Sequence, residues 1–431
     1  MQTQEVDITD LSHDGRGVAH IDGKAVFVIG ALPGERVVVR MAARHRNFDE
    51  ARVEALLTRS PDRVEPRCPH FGQCGGCALQ HLSAAAQIAA KQRVLAENFE
   101  RIGKVEPARW LDPLTDAEWG YRRKGRLSVK WVAKKGKALV GFREENPRFV
   151  ADLSECHTLL PEVGFRIAAI GALVTSLDAK QSIAQIEIAA GDDTVALVFR
   201  NLVALSDADT AKLVAFGKEH DLAILLQPGG PDSVHALWPE TVHLAFRIEQ
   251  ADVDIAFRPL DFVQVNAGLN RRMIARALDL LDPTRDDRVL DLFCGLGNFT
   301  LPVARRAGSV VGVEGEAKLV ARARENAVAN GIANAEFAAA DLAADQRGAP
   351  WAVRDYDKLL LDPPRSGEAA VLEYLPRKST KRIVYVSCHP GSLARDAGTL
   401  VQQHGFTLMA AGVMDMFPHT AHVESIALFE R

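Results

Sequence analysis

Hydrophobic and polar positions change their period along the 431 residues, and the changes divide the chain. From residue 1 to about 58, short runs rich in β-branched residues predict strands at Gln4–Ile8, Gly17–Ile21, Lys24–Val28, Glu35–Met41 and Phe48–Leu57. Turn signals at Asp14-Gly15, Asp22-Gly23 and Leu32-Pro33-Gly34 separate them, a five-strand barrel pattern. After a linker of proline and charge at Pro61–Pro69, Leu79–Ile102 takes helical spacing with alanine throughout. From Gly120 to about Val253 strands dominate: Arg126–Val132, Ala138–Phe142, Ile186–Ala190, Val195–Phe199 and Leu222–Leu226. Helical stretches at Glu162–Asp178 and Ala208–His220 interrupt them; Gln227–Ser233 reads as a turn, and Ala256–Phe262 leads out. Beyond Asn270, strand and helix alternate to the end, which predicts an open, mainly parallel sheet with crossover helices. The chain is therefore α/β, with units at 1–58, 59–262 and 263–431; part of 80–120 is free to pack on the last. The first is a small OB-like barrel, the second α+β, the third Rossmann-like.

The last unit is organised around Arg288-Val-Leu-Asp-Leu-Phe-Cys-Gly-Leu-Gly-Asn-Phe-Thr300. Val289–Phe293 reads as a buried parallel strand, Gly295 and Gly297 permit a tight turn, and helical spacing resumes at Phe299–Arg306. The next strand, Ser309–Val313, ends in Glu314, where a carboxylate suits two vicinal hydroxyls of a ribose. Gly-Leu-Gly lacks the third glycine that dinucleotide folds place near a pyrophosphate, so an adenosyl cofactor without phosphates fits better than NAD or FAD. In such sheets function gathers at the carboxyl ends of strands, and Glu314, Asp341, Asp362 and Cys388 all fall there.

Composition bounds the partners. The formal net charge is -4, so any nucleic-acid site must come from local patches. Tyr121–Arg148 holds ten Lys and Arg against two Glu; Arg36, Arg40, Arg44, His45 and Arg46 form a second group. No run approaches the roughly 20 apolar residues of a membrane helix. The N-terminus has neither the basic start nor the apolar core of a targeting signal, so cytoplasm is the default.

Six cysteines form no disulfide scaffold. Three of them, Cys68, Cys74 and Cys77, share one glycine-rich loop, which points to a metal. A fourth ligand is required, and Cys156 is the remaining cysteine outside the predicted Rossmann-like unit. Four thiolates suit zinc or an iron–sulfur cube, and spacing does not choose between them. Farther on, Cys388 follows the strand Ile383–Ser387 and precedes Pro390; Asp362-Pro-Pro-Arg365 ends a strand in a stiff loop suited to reading a planar base. Glu424 begins an otherwise apolar strand, where a carboxylate is unexpected.

Together Gly295-Leu-Gly-Asn-Phe299, Asp362-Pro-Pro-Arg365, Ser387-Cys-x-Pro390, His422-Val-Glu424, the four cysteines and the small barrel resemble the bacterial RNA uracil-5-methyltransferases. The nearest likeness is to the branch that acts on 23S ribosomal RNA and carries a TRAM domain and a [4Fe-4S] cluster. The resemblance implies S-adenosyl-L-methionine as donor, contacted by Gln264, Phe293, Asn298, Glu314 and Asp341 beside Gly295, Gly297 and Asp362. It implies a cluster on Cys68, Cys74, Cys77 and Cys156, Asp362 as the uracil-orienting acid, Cys388 as nucleophile and Glu424 as base. One departure is His389, where the family commonly has Asn. For RNA contact the candidates are Arg122, Arg123, Lys124 and Arg126, with Tyr121, Trp131 and Phe262. The domain order allows a working monomer. Two other readings compete: an RNA-binding assembly factor without chemistry, and an amino-methyltransferase, which needs no thiol.

Overall fold

A computed structural model describes residues 3–367, 369–375 and 378–431; the first two residues of the expected 1–58 unit lie outside them. Strands β1 (Thr3–Asp7), β2 (Asp10–Leu11), β3 (Gly17–Ile21), β4 (Lys24–Ile29), β5 (Arg36–Arg44) and β6 (Phe48–Thr58) form one sheet in the order β1-β5-β6-β4-β3-β2. It wraps a core of Val6, Val26, Val28, Val37 and Val39. Alternation along β5 buries Val37 and Val39 and leaves Arg36, Arg40 and Arg44 exposed. The strand absent from the expectation is β2, whose two residues are too short for a period to show. Buried Glu35 clamps this unit to the linker: its carboxylate accepts from Arg63 Nη2 at 2.7 Å and from the amides of Leu32 (2.8 Å) and Ser60 (3.2 Å).

Helix α1 (Ala84–Asn98) starts at the Ser83 cap, five residues later than its apolar spacing suggests, because Leu79–Leu82 turn aside to pack against the barrel. It ends in a π turn, Phe99–Gly103, and β7 (Arg109–Trp110) then joins the edge of the C-terminal sheet. The central sheet comprises β8 (Lys124–Val132), β9 (Lys137–Gly141), β10 (Ile183–Ala190), β11 (Val195–Asn201), β12 (Ala223–Leu226) and β13 (His235–Trp238), ordered β13-β12-β11-β10-β8-β9. Helices α2 (Pro161–Gly164), α3 (Ile167–Ser176) and α4 (Asp207–His220) accompany it; the expected Glu162–Asp178 helix is broken at Phe165–Arg166. A hairpin, β14 (Leu244–Ile248) and β15 (Val253–Phe257), was not expected; its Phe246 and Ile255 enter the C-terminal core.

The C-terminal unit runs α5 (Ala267–Leu281), β16 (Arg288–Leu292), α6 (Thr300–Ala304), β17 (Ser309–Glu314), α7 (Ala317–Ala329), β18 (Ala335–Ala339), β19 (Lys358–Leu361), α8 (Ala369–Tyr374), β20 (Arg382–Ser387), α9 (Pro390–Gln402), β21 (Thr407–Met414) and β22 (Glu424–Glu430). Its sheet is ordered β18-β17-β16-β19-β20-β22-β21-β7, with hydrophobic layers packed on both faces. The five strands from β16 to β20 are mutually parallel, whereas β22 is antiparallel to β20. That reversal has a consequence for chemistry. The start of β22 lies at the same edge as the carboxyl ends of β16 to β20.

Candidate active site

One sheet edge gathers the reactive side chains. Register pairs Ser387 with Ser425, so one residue farther along Cys388 faces Glu424 across neighbouring strands. Next to β20, β19 ends at Leu361 and hands the chain to Asp362, whose amide donates to the Leu292 carbonyl. Cys388 is half-buried; its thiol is pushed up to about 11 by burial and by the carboxylates of Glu424 and Asp362, while Arg365 opposes them. Glu424 is 3% exposed, and burial, then Asp362, raises its carboxyl to about 8. Asp362 keeps part of its surface open, yet its packed surroundings raise it to about 7. Near neutral pH a protonated Asp362 can donate to a carbonyl oxygen, and Glu424 is poised to exchange a proton.

The loops around these groups are fixed by short bonds. Pro390 opens α9, and His389 caps it: Nδ1 accepts from the Ser392 amide at 3.1 Å. An Asn caps a helix in the same way, so the departure at this position preserves the capping bond. Burial and the Arg365 charge lower the His389 pKa, which favours the neutral acceptor. Ser392 Oγ donates to the Arg365 carbonyl at 2.7 Å, tying the Asp362-Pro-Pro-Arg365 loop to the cysteine loop of the active edge.

The cofactor candidates adjoin this edge. Phe293 has φ +66°, a strained value for a bulky residue that costs on the order of 1–3 kcal/mol and is typical of functional turns. Gly295 and Gly297 follow at φ +53° and +91°. Half-buried Glu314 closes the loop by accepting from the Gly295 amide at 3.1 Å, and from Glu316 at 3.0 Å. Asn298 exchanges two 3.0 Å bonds with Asn270 of α5, so the helix that follows half-buried Gln264 is anchored to the glycine loop. Asp341 is exposed beyond β18, where its side chain accepts from the Ala343 amide. Two residues escaped the sequence reading. Asn270 is one; the other is Asp291, fully buried in β16, bonded to Thr300 and raised to about 8 by burial. A carboxylate in an otherwise apolar strand was the signal for the second.

Cys68, Cys74, Cys77 and Cys156 are free thiols lining one small cavity. Burial raises Cys74 to about 11 and Cys77 to about 12. Among the described residues, no group of three or more His, Cys, Asp or Glu stands arranged around a metal position. The donor set itself, four thiols converging from two segments, suits a soft metal centre.

The RNA candidates divide. Phe262 is 71% exposed. Tyr121, expected to stack on a base, is instead buried, its hydroxyl donating to the Pro418 carbonyl at 3.1 Å; no face of the ring is offered to RNA. Trp131 is half-buried under Lys180. Arg123 is buried against Asp192, exposed Arg126 pairs with Glu187, and Lys124 bonds the Pro259 carbonyl. Arg122 lies over Phe142 and lines both the cysteine cavity and a cleft of about 900 Å³ between barrel and cysteine loop, which reaches His422.

The model of the tRNA (Uracil-5-)-methyltransferase family matches residues 234–431, and that of the TRAM domain matches 1–53. A 23S rRNA (uracil(1939)-C(5))-methyltransferase RlmD of Stenotrophomonas maltophilia is 63% identical over 430 residues, covering 99% of this chain and 97% of the relative. The chain belongs to the RNA uracil-C5 methyltransferases. Relatives of the same description in Xanthomonas oryzae pv. oryzae and Xylella fastidiosa are 64% and 62% identical, covering 98% and 100% of this methyltransferase and 96% and 97% of their own lengths. The Pyrococcus abyssi tRNA (uracil-54, C5)-methyltransferase, solved with S-adenosyl-L-homocysteine, shares its fold at TM-score 0.76 with 24% identity over 99% of both chains. Among the described residues no helix is long and apolar enough to cross a membrane.

Proposed function

We propose that this methyltransferase transfers the methyl group of S-adenosyl-L-methionine to C5 of a uridine in 23S ribosomal RNA. The observation that carries the reading is the meeting of Cys388, Asp362 and Glu424 at one sheet edge beside the glycine loop. Gln264, Phe293, Asn298, Glu314 and Asp341, with Gly295 and Gly297, hold the donor, which supplies a methyl group activated on a sulfonium.

Uracil C5 is a poor nucleophile until a thiolate adds at C6. The Cys388 sulfur forms the C6–S bond, and the displaced electron pair makes C5 and O4 enolate-like, with Asp362 hydrogen-bonded to the pyrimidine edge. C5 then takes the methyl group as the bond from that carbon to the donor's sulfur breaks, leaving the donor as a neutral thioether. Glu424 removes the C5 proton, the electron pair re-forms the C5–C6 double bond, and the thiolate leaves. Rigid strand ends keep these groups in reach, and the uridine must leave its stack to enter. Phe262, Trp131, the barrel, Arg122 and Arg126 are the RNA-holding surface, braced from within by buried Arg123, paired with Asp192, and by Lys124, bonded to the Pro259 carbonyl. One chain carries every group used, so a monomer suffices, working in the cytoplasm.

Cys68, Cys74, Cys77 and Cys156 hold a [4Fe-4S] cluster, which would tie the loop to the central domain and contribute folding energy. Anaerobic purification is expected to give a brown protein; a colourless one with stoichiometric zinc reverses the assignment. Mass mapping of methylated uridines in ribosomal and transfer RNA, from cells with and without this protein, tests the substrate. Loss of one 5-methyluridine from 23S RNA is expected; loss from transfer RNA alone would contradict it.

A further inference from the structure

The turn that delivers Glu424 is held from outside its own sheet. Glu424 itself has no side-chain hydrogen bond or ion pair among the described residues, so its backbone alone aims it. Between β21 and β22 the chain passes through His419 at φ +66°, a conformation that needs support from its surroundings. The His419 amide donates to Gln87 Oε1 at 2.9 Å. Its carbonyl accepts at 2.9 Å from Ala78 and from Leu79, the two residues that follow Cys77. Gln87 Nε2 donates to the carbonyls of Leu79 (3.0 Å) and Leu82 (2.8 Å). One turn along α1, Lys91 pairs with Asp415 at 2.6 Å, the two side chains 3% and 7% exposed, and donates to the Phe417 carbonyl at 3.0 Å. Leu79 and Leu82 pack with Leu11 and Leu32 of the barrel, and with Ala421 three residues before Glu424. Barrel, cysteine loop, α1 and the base-bearing turn thus meet at one junction.

None of these groups belongs to the reacting set; they hold the path that leads to it. Resting on the reading that Glu424 takes the C5 proton, we infer that Gln87 and Lys91 are positioning residues that aim the Glu424 carboxylate, and that the cysteine loop bears on it through the His419 backbone. The step made sensitive is proton removal with elimination, because addition and methyl transfer use Cys388 and the glycine loop, whereas the side-chain bonds of Gln87 and Lys91 run to Leu79, Leu82 and residues 415–419.

The test uses the full-length protein, an RNA oligonucleotide containing the target uridine, and S-adenosyl-L-methionine. Gln87→Met removes both ends of the tether; a Lys91→Met, Asp415→Leu double variant removes the buried ion pair as a unit and leaves no orphaned charge. Glu424→Gln serves as reference. For either variant that retains its circular dichroism spectrum, kcat falls about tenfold to a hundredfold, the expected cost of small misplacement. KM for RNA and for donor stays within about threefold, and a covalent RNA–protein adduct persists on a denaturing gel as it does for Glu424→Gln. A folded variant with wild-type kcat, or with reduced turnover and no adduct, overturns the inference while leaving the function intact. Absence of adduct in Glu424→Gln itself, with methyl transfer retained, overturns both.

Discussion

Two regions of this molecule bury carboxylates, and they treat them in opposite ways. Where the α1 junction and the linkers hold the units together, each buried acid meets a cation: Asp415 with Lys91 at 2.6 Å, Glu35 with Arg63, and Asp261 with Arg322 at 2.5 Å. At the active edge, Glu424 is enclosed and Asp362 half-buried, with no ion pair among the described residues, and both are pushed up into the neutral range. A paired buried charge fixes geometry and gives up its proton chemistry. An unpaired one costs stability and keeps a proton to exchange near pH 7. The contrast separates the acids that build this fold from those that act.

Substitutions in the two regions should therefore fail in different ways. Cys388→Ala should reduce methyl transfer on the order of 10⁴-fold or more while leaving donor binding in place, measured by radiolabel transfer and calorimetry. Residual turnover near wild type would favour an amino-methyltransferase instead. Lys91→Met leaves Asp415 buried and unpaired, and is expected to destabilise the protein by about 3–5 kcal/mol in denaturant unfolding.

Glu424→Gln should do the reverse. The folded carboxyl titrates near 8, above its ordinary 4.5, so wild type has this group's full stability below about pH 4.5 and loses it as pH rises through 8. The variant should therefore melt higher than wild type at pH 9 and lose its advantage toward pH 4.5. A tenfold difference in proton affinity between folded and unfolded chains is worth about 1.4 kcal/mol. Equal melting curves across that range would place the Glu424 charge in solvent. His389→Asn is the smallest change: a cap of equal quality, within about 1 kcal/mol at pH 7. Wild-type His389, its pKa lowered in the fold, contributes stability that is present above about 6.5 and lost as pH falls below that value. The Asn variant should lack this group's share of the acid sensitivity, as read from melts between pH 7 and 5.

Local pattern carried the C-terminal unit well, because parallel strands buried on both faces read as apolar runs and its reactive residues sit directly at their ends. Leu361 to Asp362 and Ser387 to Cys388 are boundaries visible within a few residues. The junction was not legible for the opposite reason. Gln87 and Lys91 look like ordinary polar positions of an alanine-rich helix, and only contacts with residues 415–419, over 300 positions away, give them a task. The basic run misled by its composition. Of its ten cations, Arg123, Arg126, Lys135 and Lys137 are matched by acids from Asp152, Glu187 and Asp192, so much of its charge is answered within the protein. Tyr121 went inward because its hydroxyl reaches the carbonyl of Pro418, a neighbour that sequence spacing does not disclose. The hairpin β14–β15 was hidden because its strands alternate against a helix of another unit, with Ala256 bonded to Asn326 of α7 at 3.0 Å.

Covalent capture of the pyrimidine by Cys388 is the step on which the chemistry turns, and intact-mass analysis of Glu424→Gln after incubation with target RNA and S-adenosyl-L-methionine reads it directly. A species with the mass of protein plus RNA plus one methyl group is expected, absent when Cys388 is also replaced by alanine. Methylated RNA released at the wild-type rate, with the protein's mass unchanged throughout, would contradict it.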